Sequence, residues 1–216
     1  TYDPARDLAG AVLLVEVPFV VITHPAVPFR SLAELVAAAK ARPGQVTFGS
    51  AGNGTSTHMA GELFQLVAAA PLQHVPYRGS SQAMNDLIAG TINMMFENLP
   101  TVPPASADGR VRALALTATA RAPQLPEVPT TAEAGLPEFV ANAFFTLAVP
   151  ASTPAPLLEA LNRDLRAALF QPATHERLVG LGTTPRGLTV PELRAYFAAE
   201  TQRWTRVIRA ANLRAD

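Results

Sequence analysis

The sequence predicts an α/β protein with a parallel sheet, divided into two lobes, and three observations predict it. Strand-like and helix-like segments alternate between Gln45 and Phe96, the pattern of βαβ units. Two long extended runs, Leu13 to Ile22 and Phe139 to Val149, bracket this block, so the chain enters it by one crossover and leaves by the other. From Thr153-Pro154 onward the apolar spacing is helical. With 216 residues, 49% of them apolar, the chain can bury one substantial core or two modest ones.

The first run is dense in β-branched residues and interrupted by Pro18, whose nitrogen cannot join a ladder, so the strand is expected to bend or change partner there. Ser31 and Glu34 form a capping box for a helix through Leu32, Leu35 and Val36, ended by Pro43-Gly44. Gln45 to Ser50 reads as a strand, and Gly52-Asn53-Gly54 as a turn. Thr55, Ser56 and Thr57 supply caps for a helix with the stripe Met59, Leu63, Leu66 and Val67. Leu72 to Tyr77 returns as a strand, and Gly79-Ser80-Ser81 opens a helix through Ala83, Met84, Leu87 and Ile88, closed by Gly90. Ile92 to Phe96 and Val111 to Thr117 are strands with a weakly patterned stretch between them. A short helix is expected at Thr131 to Ala134, then helices over Leu157–Leu169, Ala173–Val179 and from the capped Thr189 to about Ala211.

Charge and composition narrow the function. Lys+Arg 17 against Asp+Glu 17 leaves no net charge and neither sign forms a run, so a nucleic-acid groove or polybasic membrane surface has no electrostatic support. With Cys 0 there is no disulfide framework, thiolate-metal site or cysteine nucleophile. The four histidines, His24, His58, His74 and His175, have no ligand spacing and read as structural or exposed, so neither metal nor cofactor is expected. The longest apolar stretches, such as Ala11 to Val15, fall short of the roughly 20 residues that cross a bilayer. The opening Thr1-Tyr2-Asp3-Pro4 reads as a chain with its leader removed, or as a fragment.

Three junctions at strand ends are the candidate binding elements. Ser50-Ala51-Gly52-Asn53-Gly54-Thr55-Ser56-Thr57 is a small-residue loop that opens a helix, where backbone N–H groups, hydroxyls and the positive dipole end can converge on an anion such as a carboxylate. It is neither a dinucleotide fingerprint nor a phosphate loop. One of its hydroxyls is expected to cap the helix, and the same residues could form a simple turn that binds nothing. Tyr77, Gly79 and Ser80 repeat the arrangement, Tyr77 either closing over a ligand or sitting half-buried at its strand end, with Arg78 solvated. Asn98 offers an amide before Pro100, or an Asx turn. Phe144-Phe145 is expected in the core rather than as a ligand platform. Ligands of such α/β lobes sit outside the carboxyl ends of strands, which places the expected cleft between the lobes.

The run Gly49-Ser50-Ala51-Gly52-Asn53-Gly54-Thr55-Ser56-Thr57-His58-Met59-Ala60-Gly61-Glu62-Leu63-Phe64 resembles the signature of the Bug family, the solute-binding receptors of tripartite tricarboxylate transporters. So do Val75-Pro76-Tyr77-Arg78-Gly79-Ser80, Asp86 to Gly90, Met95-Phe96-Glu97-Asn98, Leu125 to Gly135 and Val149 to Pro154, in order along nearly the whole chain. The resemblance implies a type II periplasmic-binding-protein-like fold whose two α/β lobes, joined by crossover strands, close on a small organic acid, a dicarboxylate, amino acid or aromatic acid. It also implies a periplasmic, monomeric, non-enzymatic receptor that delivers this acid to membrane permease subunits and holds one carboxylate through backbone amides and ordered waters. On this reading residues 1–19 and 143–216 form the first lobe and 20–142 the second. The opening strand, first ligand loop and following helix of the family have no counterpart, so the first lobe is expected to be incomplete. Phe144, Thr146 and Arg78 stand where the family usually has Trp, Gly and Lys. Two other classes share the scaffold: the effector-binding domain of a transcription regulator, and an enzyme acting on an ester or amide, for which no residue pair has a demanding spacing.

Overall fold

The computed structural model, which describes residues 3–213, is organised by its first strand. After a short helix α1 (Pro4–Asp7), strand β1 (Leu8–Thr23) runs for 16 residues. Then follow α2 (Leu32–Ala41), β2 (Thr47–Ser50), α3 (Ser56–Ala68), β3 (Gln73–Pro76), α4 (Ser80–Ile88) and β4 (Met94–Asn98). A 3₁₀ turn at Leu99–Thr101 leads into α5 (Val102–Ala107) and β5 (Arg112–Leu116). The chain returns through β6 (Asn142–Pro150) to α6 (Ala155–Leu169), α7 (Pro172–Gly180), β7 (Thr184–Pro185) and α8 (Val190–Ala210). Residues 3–17 and 144–204 form one compact unit, and residues 18–143 with 205–213 the other.

Pro18 marks where β1 changes partners, as its missing N–H leads one to expect. Before it, Val15 and Glu16 pair with β7; after it, Phe19 to Thr23 pair with β4 and Val20 to Thr23 with β5. Both later pairings are antiparallel, so the sheet is mixed rather than parallel throughout. Its order is β3-β2-β4-β1-β5, with β6 also paired to β1. The β2–β3 and β2–β4 pairings are parallel, which brings the carboxyl ends of β2, β3 and β4 to one edge.

Two apolar layers hold the larger unit. On one face Phe64 of α3 meets Phe96 and Phe139 at ring separations of 5.4 Å, and Phe48 meets Phe96 at 5.9 Å. On the other, Ala83 and Leu87 of α4 pack with Val20, Ile22, Ile92 and Met95. Thr117 fastens the crossovers: its buried Oγ1 accepts from the Phe19 amide at 2.8 Å and donates to the Ala141 carbonyl. In the smaller unit, the Asn162 carboxamide donates to the carbonyls of Ala11 and Leu188 at 2.7 and 2.9 Å, and Tyr196 donates to Glu16.

Several elements differ from the sequence reading. Residues 131–135 form turns rather than a helix, although Thr130 and Glu133 exchange capping-box hydrogen bonds, because Pro137 follows before a second helical turn can form. The weakly patterned stretch holds α5, whose prolines at 103 and 104 occupy a first turn that needs no N–H partner. Phe145 is 53% exposed, not core: strand alternation turns it away from Phe144, which packs on Tyr196 and Phe197.

Gly61 lies on the inner face of α3, where an added Cβ would run into the Phe48 ring. Gly61→Ala should lower stability by about 1–3 kcal/mol through overpacking, despite alanine's better helix propensity. Urea titration checks this; an unchanged or raised midpoint would show that the ring can move aside.

Candidate functional site

The β2–β3 and β2–β4 registers level three strand ends. Ser50 pairs with Pro76, and Gly49 with Met95, so one or two steps further place Ala51 beside Tyr77 and Glu97. The Tyr77 amide donates to the Ser50 carbonyl at 3.1 Å, continuing the ladder to this edge. The sequence-predicted residues Ser50 to Thr57, Tyr77, Gly79, Ser80 and Asn98 therefore arise at one edge of one sheet.

The loop after β2 is tightly tied within itself. The Ala51 amide donates to Thr57 Oγ1 (2.9 Å), Gly52 to Ser50 Oγ (3.1 Å), Gly54 to His58 Nδ1 (3.0 Å) and Thr55 to the Gly52 carbonyl (3.2 Å). These four donors are occupied, which corrects the expectation that the loop amides stand free for an anion. Gly52 (φ +127°) and Gly54 (φ +73°) supply the left-handed turns that allow this winding. Asn53 and Gly54 are exposed at the tip, and Ser50 and Thr57 are buried.

No hydroxyl caps α3, which corrects a second expectation. Thr55 is the N-cap, yet its Oγ1 turns back to the Gly52 carbonyl at 2.7 Å and makes no cap hydrogen bond. Thr57 Oγ1, from the first turn, serves the Ala51 amide instead. The first turn of this 13-residue helix, beginning at exposed Ser56, thus keeps amides without a side-chain partner at its positive end. The neighbouring helix α4 is alike: its N-cap is Gly79, its first residue Ser80, and no side chain caps it.

Beneath the loop lies a polar layer that sequence reading missed. The rings of His58 and His74 stack at 3.9 Å, and Phe48 stacks on His74 at 4.8 Å. His58 accepts from Gly54 at Nδ1, so its proton lies on Nε2, which faces Glu62 Oε1 at 3.3 Å. His74 Nε2 lies 2.6 Å from Ser50 Oγ. Burial, then the neighbouring His58, pushes His74 down to about 4, so it is neutral near pH 7. Both histidines are structural, as expected. Their pairing left no sequence signal except that His74 faces Phe48 across β2–β3.

Tyr77 is fixed rather than free: its ring packs on the α4 side, its hydroxyl donates to Asp86 at 2.8 Å, and burial with that carboxylate raises it to about 12. Arg78 is exposed. Asn98 ends β4 half-buried, and its carbonyl accepts from Thr101. Among the described residues no cluster of three or more metal-ligating side chains occurs, and no helix is long and apolar enough to cross a membrane.

The chain as a whole has counterparts among known proteins. The TctC family, described as tripartite tricarboxylate transporter family receptor, matches residues 1–213. The chain belongs to this family. It is 38% identical over 208 residues to protein BugT of Bordetella pertussis, covering 96% of this chain and 64% of the relative. It is 39% identical to a UPF0065 protein in the tcbD-tcbE intergenic region of Pseudomonas sp. strain P51, covering 100% and 64%. The chain thus spans less than two thirds of these relatives. Among solved structures, R. palustris Rpa4515 with adipate matches with TM-score 0.89 and 31% identity, covering 98% of this chain and 71% of that one. MatC from Rhodopseudomonas palustris with bound malate gives 0.86 and 28%, covering 96% and 72%. Periplasmic binding protein BugD gives 0.87 and 27%, covering 100% and 73%. The fold is accordingly periplasmic-binding-protein-like of type II, and the family is one of receptors rather than enzymes.

His74 gives a prediction with a definite sign. Its folded value of about 4 lies below the ordinary 6.5, so on acidification the unfolded chain takes up the proton first. The His74 contribution is complete above about pH 6.5 and declines as pH falls toward about 4. Urea midpoints measured across this window should show the decline, and His74→Gln should flatten it; equal slopes in both proteins would contradict the neutral ring.

Proposed function

We propose that this chain is the extracytoplasmic receptor of a tripartite tricarboxylate transporter, capturing a small carboxylate-bearing organic acid in the periplasm for the membrane permease subunits and acting as a monomer. The observation that carries the reading is the start of α3, where a 13-residue helix opens without a side-chain cap behind a loop whose own amides are already tied down. A ligand carboxylate would take the place of the missing cap at the first-turn amides, favoured by the helix dipole. Ser50 to Thr57 then hold the shape of the grip, while Tyr77, Gly79, Ser80 and Asn98 border it. The adipate of Rpa4515 and the malate of MatC support a carboxylate ligand. Binding by hydrogen bonds at a fixed loop breaks no covalent bond, and the ligand leaves unchanged.

Titration calorimetry with succinate, adipate, malate, aspartate and benzoate tests the proposal, with heat and a thermal shift expected for at least one acid. No heat for any of them would count against it. Thr57→Val removes the acceptor of the Ala51 amide and should weaken binding by roughly tenfold, about 1.4 kcal/mol. Gly54→Ala, forced to hold φ near +73°, should weaken binding in the same direction with an unchanged circular dichroism spectrum. Unaltered affinity in both variants would make the loop a mere connection.

A further inference from the structure

Gly54 is exposed at the tip of the loop, and a side chain from the following helix holds it there. Its amide donates to Nδ1 of His58 at 3.0 Å, so the imidazole must keep that nitrogen free of a proton. A histidine can fail this requirement in two ways. The proton can sit on Nδ1 instead of Nε2, or the ring can make a half-turn about Cβ–Cγ and set Cδ2 where Nδ1 belongs.

The ring stack prevents neither failure. His58 lies 3.9 Å from His74 at an interplanar angle of 11°, and Phe48 lies 6.4 Å away at 19°. These contacts fix the plane of the ring, and a half-turn leaves the plane where it was. Contact between ring faces does not distinguish one nitrogen from the other.

Glu62 supplies the missing constraint. It stands one helical turn after His58 on α3, with Oε1 3.3 Å from His58 Nε2 and the two side chains only 13% and 7% exposed. A carboxylate so placed, weakly screened by solvent, favours the proton on Nε2 and the ring face that aims Nε2 toward it. Both choices leave Nδ1 open to the Gly54 amide. Because both residues belong to one helix, their spacing does not depend on the loop.

We infer that Glu62 is a positioning residue for ligand capture: acting through the His58 ring, it sets the Gly54 end of the loop and thereby the shape offered to the ligand at the start of α3. The role in capture rests on the carboxylate-receptor reading, whereas the chain of contacts from Glu62 through His58 to Gly54 belongs to the fold. Its effect on the ligand is indirect, so it vanishes when the ring between them is replaced.

Two-bond nitrogen–proton NMR spectra of the histidine rings, recorded near neutral pH without ligand, report which nitrogen carries the proton. The unaltered chain should show His58 protonated on Nε2, and the exposed Gly54 amide should exchange slowly with deuterium. Calorimetry then uses whichever of succinate, adipate, malate, aspartate and benzoate gives heat with the unaltered chain. Glu62→Leu, which removes the acceptor and keeps the bulk, should speed Gly54 exchange and weaken acid binding, each by about tenfold. Glu62→Gln retains an acceptor oxygen and should keep both within about threefold of the unaltered values. In a His58→Phe background, Glu62→Leu should change affinity by less than about twofold.

His58 protonated on Nδ1 overturns the inference before any variant is made. So does folded Glu62→Leu whose Gly54 exchange or affinity matches the unaltered chain, or a full further loss of affinity in the His58→Phe background. Should Glu62→Leu not fold, the ring spectrum and Glu62→Gln decide, and a loss of about tenfold in Glu62→Gln overturns the role. An unaltered chain that binds an acid and fails these tests loses the positioning role alone. If none of the five acids binds it, the receptor reading falls and the role in capture falls with it.

Discussion

The ring of Phe48 fixes the distance between β2 and α3, and everything at the strand edge depends on that distance. One side of the ring faces the space left by the absent side chain of Gly61, and it also meets His74 and the edge of Phe96. Losing such a buried phenyl typically costs about 3–5 kcal/mol, comparable to a large part of a domain's net stability. With the strand and helix held this close, the five residues joining them must wind tightly, and two left-handed glycines allow it. The internal hydrogen bonds of the loop are a consequence of this compression.

A loop tied to itself changes how recognition by backbone works. Four amides that might have been aimed outward instead hold the loop rigid, and the helix start beyond it remains without a side-chain cap. Rigidity of this kind reduces the ordering a ligand must impose on binding. The stacked histidines serve the same end from below, joining Ser50 and Gly54 to a layer that can neither swell nor collapse without disturbing Phe48.

The parts of the structure that were legible in the sequence obey local rules. Helical spacing located α2, α3, α4, α6 and α8, and the extended runs around Pro18 and Phe144 located both crossovers, because periodicity and proline act within a few residues. The antiparallel place of β1 was not legible, since strand order depends on long-range pairing that no window contains. Thr55 shows a different limit: three hydroxyls in succession each suit a cap, and which carbonyl or amide each one takes is decided by the winding of the loop. His58 and His74 are 16 positions apart, and their rings meet through the packing of α3 on β2 together with the parallel register of β2 and β3.

Pro18 has a consequence beyond the change of partners it marks. A ladder melts residue by residue, and a position that contributes no N–H bond interrupts the zipper. Opening that begins at the amino end of β1 can therefore stop at residue 18, so the amide protons of residues 11–15 and 19–23 are free to exchange with deuterium at separate rates. One continuous strand thus carries two segments that fray on different clocks.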